Sequence, residues 1–139
     1  MKHLIQKLPI ELVFHIISYT YKLQNKNLLD DILNYIEIKS KLFECYYHFW
    51  NVNNLPEEYT DWLLNDIFFY ANDYHPSMCE YVSKFYNIFK RNPVLQTHDD
   101  VLNYVYNLEK KDVKTQINIL LGLLDIKERN QLVLYGPVY

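Results

Sequence analysis

The chain has 139 residues, of which half are hydrophobic and 17% are aromatic, and its net charge is −3 at neutral pH. This length fits a single domain with a real core, and so much aromatic surface beside only two glycines and five prolines argues against a disordered chain. Two cysteines argue against a disulfide scaffold and favour a reducing, intracellular setting.

The sequence predicts neither a secretory leader nor a membrane-spanning helix. Lys2 and Lys7 are followed by an apolar run that Glu11 interrupts, and no small-residue cleavage site follows it. No apolar run approaches the roughly 18 residues that a bilayer-spanning helix requires. We therefore expect an intracellular protein without a membrane span.

Residues 8–21 predict an amphipathic helix that begins at Pro9. Proline has no amide donor, so it suits the first turn of a helix, and Glu11 complements the positive end of the helix dipole. One apolar stripe follows at helical spacing, formed by Leu12, Val13, Ile16, Ile17 and Thr20.

The same stretch resembles the opening helix of an F-box. The family pattern is Leu-Pro-x-Glu-Leu, three further residues, two aliphatics and Ser-Tyr, and it is matched here by Leu8, Pro9, Glu11, Leu12, Ile16, Ile17, Ser18 and Tyr19. The resemblance implies docking onto the Skp-type adaptor of cullin–RING ubiquitin ligases through a face made by Leu8, Pro9, Leu12, Ile16 and Ile17. The sequence departs from the family at Thr20, where an aliphatic is usual. These residues also fit an ordinary proline-initiated amphipathic helix.

Residues 28–50 have a long helical pattern of apolar positions, and Lys39–Lys41 interrupt it. The pattern therefore fits either one kinked helix or two shorter helices. Its apolar positions are Leu29, Ile32, Ile36, Phe43, Tyr47 and Trp50. The next helix is predicted to begin at Pro56–Glu58 and to end near Ala71. Ser77 and Glu80 then have the spacing of a capping box, which predicts a helix with the apolar stripe Met78, Val82, Phe85 and Phe89.

Three further helices are predicted from their first residues. Thr97 begins one, Asp112 caps the next, and Asp125 with Glu128 forms a capping box for the last, which ends at Gly136. The inward residues of the first two are Val101, Tyr104, Val105 and Leu108, then Val113, Ile117, Leu120, Leu121 and Leu124. The fold class is therefore an all-α irregular bundle of six or seven helices with short connections. We expect one domain over residues 1–139, in which F-box-like helices (1–50) are packed against C-terminal helices (55–135).

A second resemblance concerns the C-terminal half. Residues 112–124 and 128–130 are similar to the C-terminal part of short helical proteins of large double-stranded DNA viruses, the mimivirus relatives, which also tend to begin with a Leu-Pro-x-Glu-Leu helix. The chain has 12 Lys, 14 Asn, two Arg and one Ala, a usage typical of an AT-rich genome. This resemblance implies a viral source, with the host cytoplasm or the virion as location.

The sequence offers few residues that could catalyse a reaction or bind a metal ion. Cys45 and His48 lie at i and i+3, and His75 and Cys79 at i and i+4, so two pairs could supply four ligands to a zinc ion. Core or surface roles are the favoured interpretation, because the tight turns of structural zinc sites are missing. A nucleophile elbow, a phosphate loop and a His-Glu-x-x-His motif are also missing. We expect no catalytic residue, no metal and no cofactor.

Charge is distributed unevenly along the chain. Residues 51–82 hold six acids and no Lys or Arg, interleaved with large aromatics. A second partner-binding surface could be made by Glu57, Glu58, Asp61, Trp62 and Asp66. The favoured alternative makes the aromatics core and the acids their solvated face. The only basic cluster (Lys84, Lys90, Arg91, Lys110, Lys111 and Lys114) is interpreted as a solvated face, so no specific nucleic-acid binding is expected.

These observations favour a non-enzymatic protein–protein interaction module. It would dock a Skp-type adaptor or another viral protein through its first helix and engage a second partner through its acidic middle part, and it could form oligomers. The alternative is a structural or assembly protein of a virion or viral factory that uses the same helices for packing.

Overall fold

The structure, a computed structural model, describes Glu11, residues 26–54 and residues 58–136. Six α-helices lie in the latter two ranges: α1 Lys26–Val52, α2 Tyr59–Ala71, α3 Ser83–Phe89, α4 His98–Leu108, α5 Val113–Leu123 and α6 Ile126–Tyr135. Ser77–Cys79 forms a short 3-10 turn, and the described residues contain no strand. The prediction of an all-α irregular bundle with short connections is confirmed. No helix in these ranges is long and apolar enough to cross a bilayer.

The chain divides into two compact units, Met1–Leu33 and Asn34–Tyr139. In the first unit the described residues are Glu11, which is helical and exposed, and residues 26–33, which are the first two turns of α1. The rest of the predicted N-terminal helix lies outside the described residues. In the second unit the described residues are 34–54 and 58–136.

Helix α1 is continuous and buries a different face from the predicted one. Its buried residues follow a four-residue step: Ile38, Leu42, Tyr46 and Trp50. Ile32, Ile36 and Tyr47 are instead 44%, 57% and 48% exposed, so the predicted stripe was wrong at these three positions. The helix carries apolar or aromatic side chains on several sides, so packing rather than periodicity decides which side is buried. Lys41 pairs with Glu37 one turn earlier at 2.6 Å and thereby supports the helix where an interruption had been predicted.

The core of this unit forms where α2 packs against α5 and where α3 packs against α2 and α4. The predicted inward faces of α4 and α5 are largely confirmed. The fully buried positions are Val101, Val105 and Leu108 on α4 and Ile117, Leu120 and Leu121 on α5, followed by Leu124, whereas Tyr104 and Val113 are half-buried. Phe85 and Phe89 of α3 are completely buried, and the ring of Phe85 stacks on that of Tyr81 at 3.9 Å.

All three predicted C-terminal helix starts are present. The Thr97 side chain accepts a hydrogen bond from the amide of Asp100, whose carboxylate accepts one from the Thr97 amide at 3.0 Å. Asp125 and Glu128 form the same reciprocal pair at 2.8 Å. Asp112 accepts from the amide of Thr115 at 3.0 Å. Each arrangement satisfies amides that the first turn of a helix leaves without partners.

The predicted helix start at Ser77 is wrong. Only the 3-10 turn forms there, Met78 is 92% exposed, and the helix begins at Ser83. The cause is Asn72, whose buried side chain donates to the carbonyls of His75 (2.9 Å) and Glu80 (3.3 Å) and accepts from the amide of Val82 (2.8 Å). These bonds hold residues 72–82 as a loop, which we call the Asn72 loop.

The two arginines of the chain both bind the C-terminal end of α5. Arg129 is 1% exposed and donates from Nε to the Leu121 carbonyl at 2.8 Å. Arg91 donates from Nη1 to the Leu123 carbonyl at 2.9 Å and forms a two-pronged ion pair with Glu128 at 2.6 and 2.8 Å. The last carbonyls of a helix have no partners within the helix, and positive charge there is favourable. We call this arrangement the α5 clamp.

Protonating Glu128 is expected to weaken the clamp. The hydrogen bond from Arg91 holds the pKa of Glu128 below its ordinary value of 4.5, although burial opposes this effect. A carboxylate whose pKa is lower in the folded state contributes stability above its ordinary pKa, and that contribution disappears as the pH falls through the lowered value. The free energy of unfolding, measured by urea denaturation, should therefore fall more steeply below pH 4.5 in the wild type than in Glu128→Gln. Glu44→Gln, at an exposed position, is the control, and equal slopes for wild type and Glu128→Gln would contradict the expectation.

Candidate functional site: an aromatic–acidic surface

The predicted F-box-like face lies outside the described residues, because Leu8, Pro9, Leu12, Ile16 and Ile17 belong to the ranges that the structure does not describe. Of the residues that match the motif, Glu11 is described, and it is helical and exposed.

The predicted second surface lies mainly at the start of α2. Glu58 and Asp61 are exposed and Trp62 is half-buried, and their spacing of three and four residues places them along one side of the helix. The Trp62 ring stacks on Trp50 of α1, with ring centres 5.2 Å apart and planes at 19°. Glu57 lies outside the described residues.

A tyrosine pair extends this surface onto α1. The rings of Tyr47 and Tyr59 meet edge to face at 5.5 Å, and the rings of Phe43 and Tyr59 meet edge to face at 6.5 Å. Tyr47 is 48% exposed although its neighbours in sequence, Tyr46 and Trp50, are buried. We call the surface made by Tyr47, Glu58, Tyr59, Asp61 and Trp62 the aromatic–acidic face.

Asp66 contributes to a different place. It is half-buried, and its carboxylate accepts a hydrogen bond from the hydroxyl of Tyr46, so it stabilises the packing of α1 against α2. It also lines a small pocket with several tyrosines. The structure therefore does not bring all the predicted acids to one surface.

The cysteine and histidine pairs are exposed. Cys45 and His48 line an open groove of about 770 Å³ together with Lys41, Glu44, Tyr47 and Val133. His75 and Cys79 lie in the Asn72 loop. Within the ranges that the structure describes, no three side chains of the His, Cys, Asp or Glu type come close enough to hold a metal ion.

Several side chains of the basic cluster bind other groups of the protein. Lys84 donates to the Tyr70 carbonyl at 2.9 Å and lies 4.0 Å from the Asp73 carboxylate, and Arg91 belongs to the α5 clamp. The Lys110 ammonium covers the ring of Tyr106 at 4.0 Å. Three of the six predicted basic residues thus have partners on the protein itself.

Sequence reasoning missed a group of tyrosines around α2 and α6. Tyr70 is 4% exposed and donates from its hydroxyl to Gln131 Oε1 at 2.5 Å. Burial, with the negative charge of Glu128 next, raises the pKa of Tyr70 to about 12. With 14 tyrosines in the chain, no local pattern singles out the few that share a site.

Comparison with known proteins adds no relative. No protein-family model matches the chain, and neither a curated protein nor a solved structure shows significant similarity to it.

Proposed function

We propose that the protein is a non-enzymatic interaction module whose first helix docks a Skp-type adaptor and whose aromatic–acidic face engages a second protein. The observation that carries the adaptor part is the motif Leu-Pro-x-Glu-Leu followed by two aliphatics and Ser-Tyr over residues 8–19. The exposed, helical Glu11 supports it, because that carboxylate is expected near the start of a solvent-facing helix.

The aromatic–acidic face supports the second contact through its composition. Tyrosine and tryptophan are enriched at the centres of interfaces, where they bury much area with little loss of conformational entropy. Here Tyr47 is half exposed and Trp62 is partly accessible, while Glu58 and Asp61 stand beside them. Large aromatic rings edged by carboxylates are suited to a partner that presents apolar side chains next to basic ones.

The charge pattern also indicates which charge the second partner should carry. No Lys or Arg occurs between residues 51 and 82, so the face has no basic residue of its own from this stretch to neutralise its acids. Complementary potentials raise the rate of association and suppress like-charged partners. We therefore propose a basic protein surface as the second partner.

Coexpression with a Skp-type adaptor tests the adaptor part. The expected result is a complex that survives gel filtration, because adaptor docking buries the apolar side of the first helix. Leu12→Asp should abolish the complex, since an unpaired carboxylate would enter a dry interface. Pro9→Ala should weaken it modestly, because the helix start is loosened while most packing atoms remain.

Circular dichroism provides the control for this experiment. A folded Leu12→Asp variant that no longer binds supports docking. An unfolded Leu12→Asp variant, together with a wild-type protein that forms no adaptor complex, would show that Leu12 belongs to the protein's own core and would refute the adaptor part.

A further inference from the structure

A recess lies between α2 and the Asn72 loop, at the opposite end of α2 from the aromatic–acidic face. Its volume is about 240 Å³, and its apolar lining is made by Phe68, Phe69, Pro76, Met78 and Tyr81. Phe69 is 41% exposed and Met78 is 92% exposed, so a partner can reach this apolar surface. The volume lies just below the roughly 300–1,000 Å³ of small-molecule sites, so the recess suits a single side chain of a partner.

The recess lies on the same side of α2 as the aromatic–acidic face. Trp62 of that face, Asn65 and Phe69 follow one another in steps of three and four residues, which places them along one side of the helix. Asn65 is exposed, and both Asn65 and Phe69 line the recess. At 1.5 Å per residue, Phe69 lies about 12 Å along the helix from Asp61 and about 16 Å from Glu58. A segment of a partner that follows this side of α2 therefore reaches the acids and the recess together.

The recess is made entirely from the stretch of the chain that has no basic residue. All its lining residues lie between positions 51 and 82, where neither Lys nor Arg occurs. Two acids of the Asn72 loop, Asp73 and Glu80, are exposed. Lys84 approaches the Asp73 carboxylate at 4.0 Å and offsets part of its charge. Acids are thus present at both ends of the surface along α2, which complements a partner with basic residues.

The loop wall of the recess is held in a conformation that costs energy. Glu80 has a φ of +76° and a ψ of 160°, a combination that is essentially restricted to glycine. Asp73 and Tyr74 also have positive φ angles, of +51° and +60°. The buried side chain of Asn72 lines the recess and bonds to two carbonyls and one amide of the loop. Because these bonds fix the wall before a partner arrives, a partner's side chain binds with less loss of conformational entropy.

We propose that the recess receives one bulky apolar side chain from a basic helix of the second partner, whose basic residues lie against the acids of the aromatic–acidic face. This contact belongs to the same second partner, so it rests on the proposed function. Side chains that fill pockets carry most of the binding energy of an interface, and the charges around them set the choice of partner. The partner is therefore recognised by a spacing, with an apolar anchor about 10–16 Å along its helix from two basic residues.

Two side chains report on the two ends of this surface separately. Of the two methionines in the chain, Met78 lines the recess, and of the two tryptophans, Trp62 belongs to the aromatic–acidic face. Labelling with methyl-¹³C-methionine and with 5-fluorotryptophan therefore gives one NMR signal for each end. Met78→Leu and Trp62→Phe assign the two signals.

The probe is a helical peptide of about 19 residues, made of alanine and glutamine, with a leucine at each end and lysines at positions 8 and 12. These four positions share one side of the helix and have the same spacing from either end, so a leucine can reach the recess whichever way the peptide lies. The expected result is a saturable shift of both the Met78 and the Trp62 signals.

Matched peptides separate the apolar anchor from the charge. Replacing both leucines by alanine should leave a shift at Trp62 alone and raise the Kd about tenfold or more, which corresponds to the lost burial of one leucine. Replacing both lysines by glutamate should abolish both shifts, because like charges would then meet at the acidic end.

Matched variants of the protein locate the anchor. Asn65→Arg places a large cation at the wall of the recess and should abolish the Met78 shift. Asn65 is exposed on its helix, so the variant should fold as the wild type does by circular dichroism. Asn103→Arg makes the same change of charge at an exposed position of α4 and should leave the Kd unchanged.

The outcomes distinguish the recess from the second contact itself. A shift at Trp62 without one at Met78, produced by the leucine peptide, would overturn the role of the recess and leave the proposed second contact standing. The absence of both shifts would overturn the two together. Equal Met78 shifts from the lysine and glutamate peptides would also overturn the proposal, because the recess would then bind apolar side chains without regard to charge. So would a folded Asn65→Arg variant that binds the peptide as the wild type does.

Discussion

Leu120→Ala is expected to lower the free energy of unfolding by about 2–5 kcal/mol, the range for truncating a leucine in a packed core. Leu120 is 2% exposed and lies on α5, the helix that packs against α2. Truncation removes the transfer free energy of the lost methyl groups and leaves a cavity that the surrounding helices close only in part. Urea denaturation of the purified variant measures the change.

A leucine on the surface provides the control. Leu134 in α6 is 83% exposed, so Leu134→Ala should change the free energy of unfolding by less than about 0.5 kcal/mol. If Leu120→Ala instead loses less than about 1 kcal/mol, the apolar side of α5 would be a surface and not the core.

Asn72→Ala is expected to lower the free energy of unfolding by about 2 kcal/mol or more, because each buried polar group left without a partner costs about 1–3 kcal/mol. Asn72 is 2% exposed, and its side chain satisfies two carbonyls and one amide of the Asn72 loop. The loop also contains Glu80 with a φ of +76°, a conformation that is costly without such support. Thermal and urea denaturation measure the loss.

Two further variants isolate the cause. Asn103→Ala removes an exposed asparagine from α4 and should change the stability little. Asn72→Asp keeps the acceptor for the Val82 amide but places a buried carboxylate oxygen against the carbonyls of His75 and Glu80, so it should be at least as destabilising as Asn72→Ala. Equal stabilities for Asn72→Ala and Asn103→Ala would mean that the loop is held by other contacts.

Features that depend on residues close together in the sequence could be predicted. The helix starts at Thr97, Asp112 and Asp125 follow from side chains that bond to amides three residues later. The apolar faces of α4 and α5 were predictable because their buried apolar residues recur at three- and four-residue spacing.

Features that depend on distant residues could not be predicted in this way. The buried side of α1 is chosen by the helices that pack on it, since several of its sides are apolar. The capping box predicted from Ser77 and Glu80 does not start a helix, because Asn72 at the end of α2 hydrogen-bonds to the same segment. The small pocket that Asp66 lines is formed by residues from Tyr46 to Gly136, a combination that no local pattern indicates.

One signal for the α5 clamp was present but was interpreted only as codon bias. A chain with 12 lysines keeps just two arginines, and the structure places both at the end of the same helix. A guanidinium can donate several hydrogen bonds in a fixed geometry, whereas an ammonium acts as a compact point charge. In a chain rich in lysine, each arginine is therefore a good candidate for a structural role.

The α5 clamp also has a consequence for the order in which the chain folds during synthesis. Arg129 bonds to Asn34 across 95 residues, and Glu128 bonds to Arg91 across 37 residues. A ribosome that has produced α1 to α5 has not yet supplied either Glu128 or Arg129. Until α6 leaves the exit tunnel, the end of α5 has the bond from Arg91 to the Leu123 carbonyl but lacks the bond from Arg129 to the Leu121 carbonyl and the ion pair with Glu128. Closure of this domain is therefore a late event that awaits translation of its last helix.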